Sequence, residues 1–194
     1  MNETGGRPPA EGVSICIGCG MCCDGTLHGN TRVKQDDEAA VAAVGLAVEQ
    51  EDGKRLFRQP CPHFVSGGCG VYSRRPPVCR TYRCALLIDV HEGRIAPDEA
   101  REKITQAKML VKAVKDANPE ISVPSDRARV EEALKARLEY SNPAERAQIG
   151  QRLLALGALH HFLLRWFHKK NDEQQAPRAE KVEALAQSME PKDA

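Results

Sequence analysis

Apolar positions recur at helical spacing mainly in the second half of the chain. Over residues 97 to 117 they fall at Ala100, Ile104, Ala107, Val111 and Val114, a stripe of 3.6-residue period that Asn118-Pro119 closes. Val130, Leu134 and Leu138 predict a second helix facing one way, with Ser125 as its cap. Asn142-Pro143 opens a third and longest helix that runs to about His168, with proline in its first turn. Its apolar face carries Ile149, Leu153, Leu156, Leu159 or His160, Leu163 and Phe167, with Trp166 alongside. Such a helix spans about 39 Å at 1.5 Å per residue.

Upstream the pattern is weaker. Asp36-Asp37-Glu38 ahead of an alanine- and valine-rich segment predicts a helix from residue 36 to about residue 50, with Gly53 as its stop. Thr31-Arg32-Val33 and the brief apolar run over residues 85 to 90 predict short strands. Between residues 54 and 84 the periodicity disappears under glycine and proline, which excludes long elements. A segment of that kind needs a crosslink or a metal to order it.

Cysteine supplies the candidate. Residues 16 to 23 read Cys-Ile-Gly-Cys-Gly-Met-Cys-Cys, four thiols on what the glycines predict to be a short loop. Cys61, Cys69, Cys79 and Cys84 complete a set of eight, none of which lies beyond residue 84. The first fifteen residues are polar and carry no apolar stretch of the kind a secretory signal needs, so they predict a disordered N-terminus on a cytoplasmic protein. In a reducing compartment clustered cysteines point to metal ligation ahead of reversible disulfides or ordinary buried thiols.

Thiolate is a soft, polarisable donor, and four of them satisfy a tetrahedral zinc or the corners of an iron-sulfur cluster. Cys16, Cys19 and Cys22 match the first three positions of the bacterial ferredoxin run, which suggests a [4Fe-4S] cluster completed by a distant thiolate. The same residues read almost as well as zinc knuckles, and eight cysteines suffice for two such sites. Cys22 and Cys23 are adjacent, so their side chains diverge; either they serve two centres or one of them is free. Arg74, Arg75, Arg80 and Arg83 flank Cys79 and Cys84 and can balance the thiolate charge. His28, His63 and His91 read as surface or satisfied histidines rather than ligands, and His160, His161 and His168 as helix residues.

Other classes rank lower. Net charge is +1, which gives no global attraction to nucleic acid or anionic lipid. Residues 74 to 83, with Tyr72 and Tyr82, could grip phosphates and stack bases, but those arginines have a nearer duty beside the thiols. The most apolar run, residues 153 to 164, is too short to span a bilayer and contains His160 and His161. The 194 residues suit one domain or one small domain with an extension. The expected architecture is mainly α, with an irregular, metal-stapled cysteine-rich N-terminal half and a C-terminal helical hairpin or three-helix packing. It divides into a disordered segment 1–15, a metal-binding domain 16–90, a helical extension 97–170 and a flexible tail 171–194.

The cysteine pattern resembles the YkgJ-type cysteine-cluster family with its CxxCxxCC signature, a domain described as chelating zinc or iron. The resemblance covers roughly residues 16 to 87: Cys16, Cys19, Cys22 and Cys23, then Cys61-Pro62, Cys69 followed by Val71-Tyr72, and Arg75-Pro76 with Cys79-Arg80 and Cys84. It implies metal chelation by these cysteines and names no reaction. The flagellin lysine methylases look like relatives through a similar cluster, which implies an iron-sulfur-dependent methyltransferase or oxidoreductase as the alternative. No glycine-rich strand-to-helix loop for a nucleotide or methyl donor accompanies it. The expected function is therefore a non-catalytic structural, sensing or electron-carrying module that binds zinc or iron, with the C-terminal helices offering a face to a protein partner.

Overall fold

The computed structural model describes residues 10 to 65 and 67 to 168. Helix α1 (Ala10–Cys19) leads into a loop and strand β1 (Asn30–Arg32). A short helix, α2 (Glu38–Ala43), precedes the hairpin β2 (Glu49–Glu51) and β3 (Lys54–Arg58). A second, two-residue hairpin pairs β4 (Phe64–Val65) with β5 (Gly68–Cys69). Helices α3 (Pro77–Thr81), α4 (Ala85–His91), α5 (Pro97–Ala117), α6 (Arg127–Leu138) and α7 (Pro143–Trp166) follow. The molecule is thus mainly helical with little strand.

Two cores divide the chain. In the larger, α7 packs on α5 and α6. It buries Leu156, Leu159 and Leu163 against Ile104, Val114 and Leu134. A fully buried leucine contributes about 1.5–3 kcal/mol. Ile15, Met21, Leu27 and Leu86 enter this same core, so the helices and the first cysteine segment are packed as one body. The smaller core holds only Val33, Val41, Leu46 and Phe57, beneath the antiparallel sheet of order β1-β3-β2 in which Thr31 faces Phe57.

The bounds of α5 match the stripe read from the sequence, because Pro97 can occupy the first turn and Asn118, whose backbone leaves the helical region ahead of Pro119, cannot continue it. Asn118 is fully buried: its amide donates to the Val114 carbonyl at 3.0 Å and accepts from Arg152 of α7 at 3.0 Å. The expectations upstream fare differently. The helix expected to run to about residue 50 stops at Ala43, where Gly45 takes φ +78°, and the chain then turns into a hairpin. Gly53 is no helix stop but half of the tight Asp52-Gly53 turn, both residues at positive φ, which suits the twist of a two-residue hairpin.

Residues 85 to 91 form a helix rather than the expected strand; Leu86 and Leu87 are buried, and α4 packs on α1 and α5. Ser125 lies in a 3-10 turn and does not cap α6, whose N-cap residue is Asp126 without a side-chain cap bond. Cys16 and Cys19 stand on α1 rather than on a loop. Of the N-terminal segment expected to be disordered, residues 10 to 15 begin α1 and residues 1 to 9 lie outside the described residues, as does the tail expected over 171–194. Among the described residues no helix is long and apolar enough to cross a membrane.

Candidate metal centre

Helix α1 sets Cys16 and Cys19 three residues apart, on one face. The helix ends there, and Gly20 turns the chain with φ +73°. Its carbonyl accepts from the Cys23 amide at 2.8 Å and the Asp24 amide at 3.0 Å, folding Cys22 and Cys23 back toward the helix end. Only glycine suits this point, since a methyl group would also run into the Phe64 ring. Lys108 of α5 clamps the turn from outside, donating to the Gly18 carbonyl at 2.8 Å.

Cys84 arrives from the other direction. It occupies the N-cap position of α4, and the next amide, Ala85, donates to the Phe167 carbonyl at the end of α7 at 3.1 Å. Cys19, Cys22 and Cys84 all pack against the helical core. With Cys16 they line a cavity of about 30 Å³, whose other walls include Ile15, Leu27 and Leu86.

The remaining thiols gather beside the smaller core. The Cys61 amide donates to the Cys23 carbonyl at 2.7 Å, fixing the two segments together. The β4–β5 pairing places Cys69 opposite Phe64, and α3, started by Pro77, carries Cys79. Cys61 and Cys79 pack against Phe57 and its neighbours. Cys23, Cys61, Cys69 and Cys79 line a cavity of about 330 Å³, which Cys16 and Cys22 also border. The Sγ atoms of Cys22 and Cys23 are 3.8 Å apart.

None of the eight cysteines is in a disulfide, and all are partly buried. Burial pushes the Cys19 thiol up to about 12, with Cys84 and Cys16 nearby adding to the shift. Cys79 is pushed up to about 11 by burial and then by Cys23, Cys61 and Cys69. The thiols of Cys16, Cys61 and Cys84 are raised by burial as well. Cys22 is raised, first by its hydrogen bond to Cys23 and then by burial, while the same bond lowers Cys23.

Arg75 and Arg83 favour thiolate at Cys16, and Arg75 does the same at Cys23. Arg75 is held in place by stacking over the Tyr72 ring at 3.6 Å and by donating to the Tyr72 carbonyl at 3.1 Å. Arg83 donates to the Tyr82 carbonyl at 2.9 Å.

His63 bonds the Val44 carbonyl, and His91, His160 and His161 are exposed. His28 shares a 2.6 Å hydrogen bond with the Tyr82 hydroxyl and meets the His168 ring edge-on. Tyr82 borders both cavities. Its place there was hidden in the sequence, where it reads as one of two tyrosines among arginines; the signal available was its position between Cys79 and Cys84. Among the described residues no three histidine, cysteine, aspartate or glutamate side chains converge closely enough to hold one ion as they stand. Rotating one cysteine about Cα–Cβ between staggered positions moves its sulfur by about 3 Å.

Thiols from separate segments gathered around two adjoining cavities define a cysteine-cluster protein. The chain belongs to the CxxCxxCC family, described as a "putative zinc- or iron-chelating domain", whose model matches residues 15–113. The match takes in all eight cysteines and most of α5, more than the stretch to residue 87 that the motif alone suggests. No curated protein and no solved structure matches the chain.

Proposed function

We propose that the protein is a non-catalytic metal-binding module in which Cys16, Cys19, Cys22, Cys23, Cys61, Cys69, Cys79 and Cys84 hold zinc or iron. The observation that supports this is that eight cysteines outside any disulfide, spread over a 69-residue stretch of sequence, line two neighbouring cavities. An all-sulfur donor set fits zinc or an iron-sulfur cluster and poorly fits magnesium or calcium, which take oxygen. Bound zinc would supply a crosslink, and a bound cluster would supply a site for one-electron transfer. The chain's own contribution is to bring the sulfurs together and to set Arg75 and Arg83 against their negative charge.

Metal and acid-labile sulfide analysis of anaerobically purified protein tests this. Stoichiometric zinc without sulfide, or iron with sulfide, is expected; protein free of both after purification and reconstitution overturns it. The larger cavity favours a second reading, since about 330 Å³ lies within the range of small-ligand pockets. An iron-sulfur methyltransferase or oxidoreductase would use that space, and saturable binding of S-adenosylmethionine or of a redox partner would support it.

A further inference from the structure

The geometry points to two separate four-sulfur centres, Cys16/Cys19/Cys22/Cys84 and Cys23/Cys61/Cys69/Cys79, one stapling each core. This rests on the metal-binding reading above and adds the ligand sets and the stoichiometry.

The partition follows from which thiols border which cavity. Cys19 and Cys84 border only the smaller one, whereas Cys23, Cys61, Cys69 and Cys79 border only the larger. Cys16 and Cys22 stand in the wall between and border both. The larger cavity already has four thiols without them, but the smaller has only four in all and needs both. If each centre takes four sulfurs, as a tetrahedral ion or a cubane cluster does, the assignment has one solution.

Packing agrees with this division for five of the eight cysteines. Cys19, Cys22 and Cys84 lie against the helical core that includes Leu156 and Leu163, while Cys61 and Cys79 lie against Val41 and Phe57. The backbone agrees: Cys84 is tied to the end of α7 through Ala85, and Cys61 is tied to Cys23. Adjacent Cys22 and Cys23 thereby become the joint between the centres, which accounts for a cysteine pair that a single ion would accommodate poorly. It also explains how a second core of four buried residues holds its position beside a far larger one.

The test is a titration of the full-length, reduced, metal-free protein with Co²⁺, reading the thiolate-to-cobalt absorption per chain, on wild type and on Cys84→Ser, Cys22→Ser, Cys79→Ser and Cys23→Ser. Wild type should show two four-thiolate equivalents. Cys84→Ser and Cys22→Ser should each retain the same single centre, and Cys79→Ser and Cys23→Ser the other. A companion measurement on unaltered protein guards against variants that fail to fold: as chelator is added stepwise to the metal-loaded chain, alkylation mapped by mass spectrometry should expose the cysteines in those two groups of four. A wild type that takes up cobalt at one thiolate centre only, or groups that mix the two sets, or eight thiols exposed together, overturns the partition and leaves metal binding intact. Absence of any thiolate-to-cobalt absorption overturns both.

Discussion

Cys22 and Cys23 are neighbours driven in opposite directions by the contact between their sulfurs, Cys22 upward and Cys23 downward. Most of the remaining thiols are held protonated by burial in the metal-free chain, so metal uptake must expel protons. This sets the sign of the pH dependence. Cys19 rises from 9.0 to about 12 and Cys79 to about 11, so above pH 9 the unfolded chain ionises where the folded metal-free chain does not. Metal-free protein should hold its stability up to about pH 9 and lose it between pH 9 and 12, whereas metal-loaded protein should weaken in acid as protons compete for sulfur. Chemical denaturation across pH 5 to 11 checks this, and metal-free stability that rises above pH 9 contradicts it. At this scale the eight candidate ligands and the arginines beside them could be named from the sequence, since cysteine spacing and flanking charge are properties of the chain itself. The His28–Tyr82 pair was not, because 54 residues separate the partners and only the fold brings them together.

Among the elements, α7 shows best how a local code specifies structure. The Asn142 side chain accepts from the Glu145 amide at 3.0 Å, and Glu145 returns a bond to the Asn142 amide at 3.0 Å, closing a capping box around Pro143. Asn142→Ala should cost about 1 kcal/mol. A lowered denaturation midpoint with unchanged metal content is the expected result; loss of metal would mean that α7 reaches the centres more directly than its contact through Phe167 and Ala85. Helices α5 and α7 could be read from the chain because each has a long stripe and a proline in its first turn. The β2–β3 hairpin could not be read that way, since Glu49, Gln50 and Glu51 are all exposed and show no alternation. Asp52-Gly53 was its only signal. Helix α4 is seven residues long, too short for periodicity to separate a buried helix from a strand.

On the scale of the molecule, the two cores differ greatly in size, and the cysteine loop after α1 lies between them. Sheets of two or three short strands over four buried residues are marginal without a further constraint. Under the proposed function thiolate ligation would provide one, with binding energies of about 10–16 kcal/mol in small zinc peptides. The mainly helical class was evident from composition and period, yet the division into two cores was not, because it depends on which face of each short element meets Phe57 or Leu156. The helices, expected as an extension, share one core with Ile15, Met21 and Leu86. X-ray absorption at the edge of the bound metal is the most direct measurement of the thiolate centres. It should show a first shell of sulfur alone at about 2.3 Å; a shell containing substantial nitrogen or oxygen would contradict ligation by the eight cysteines.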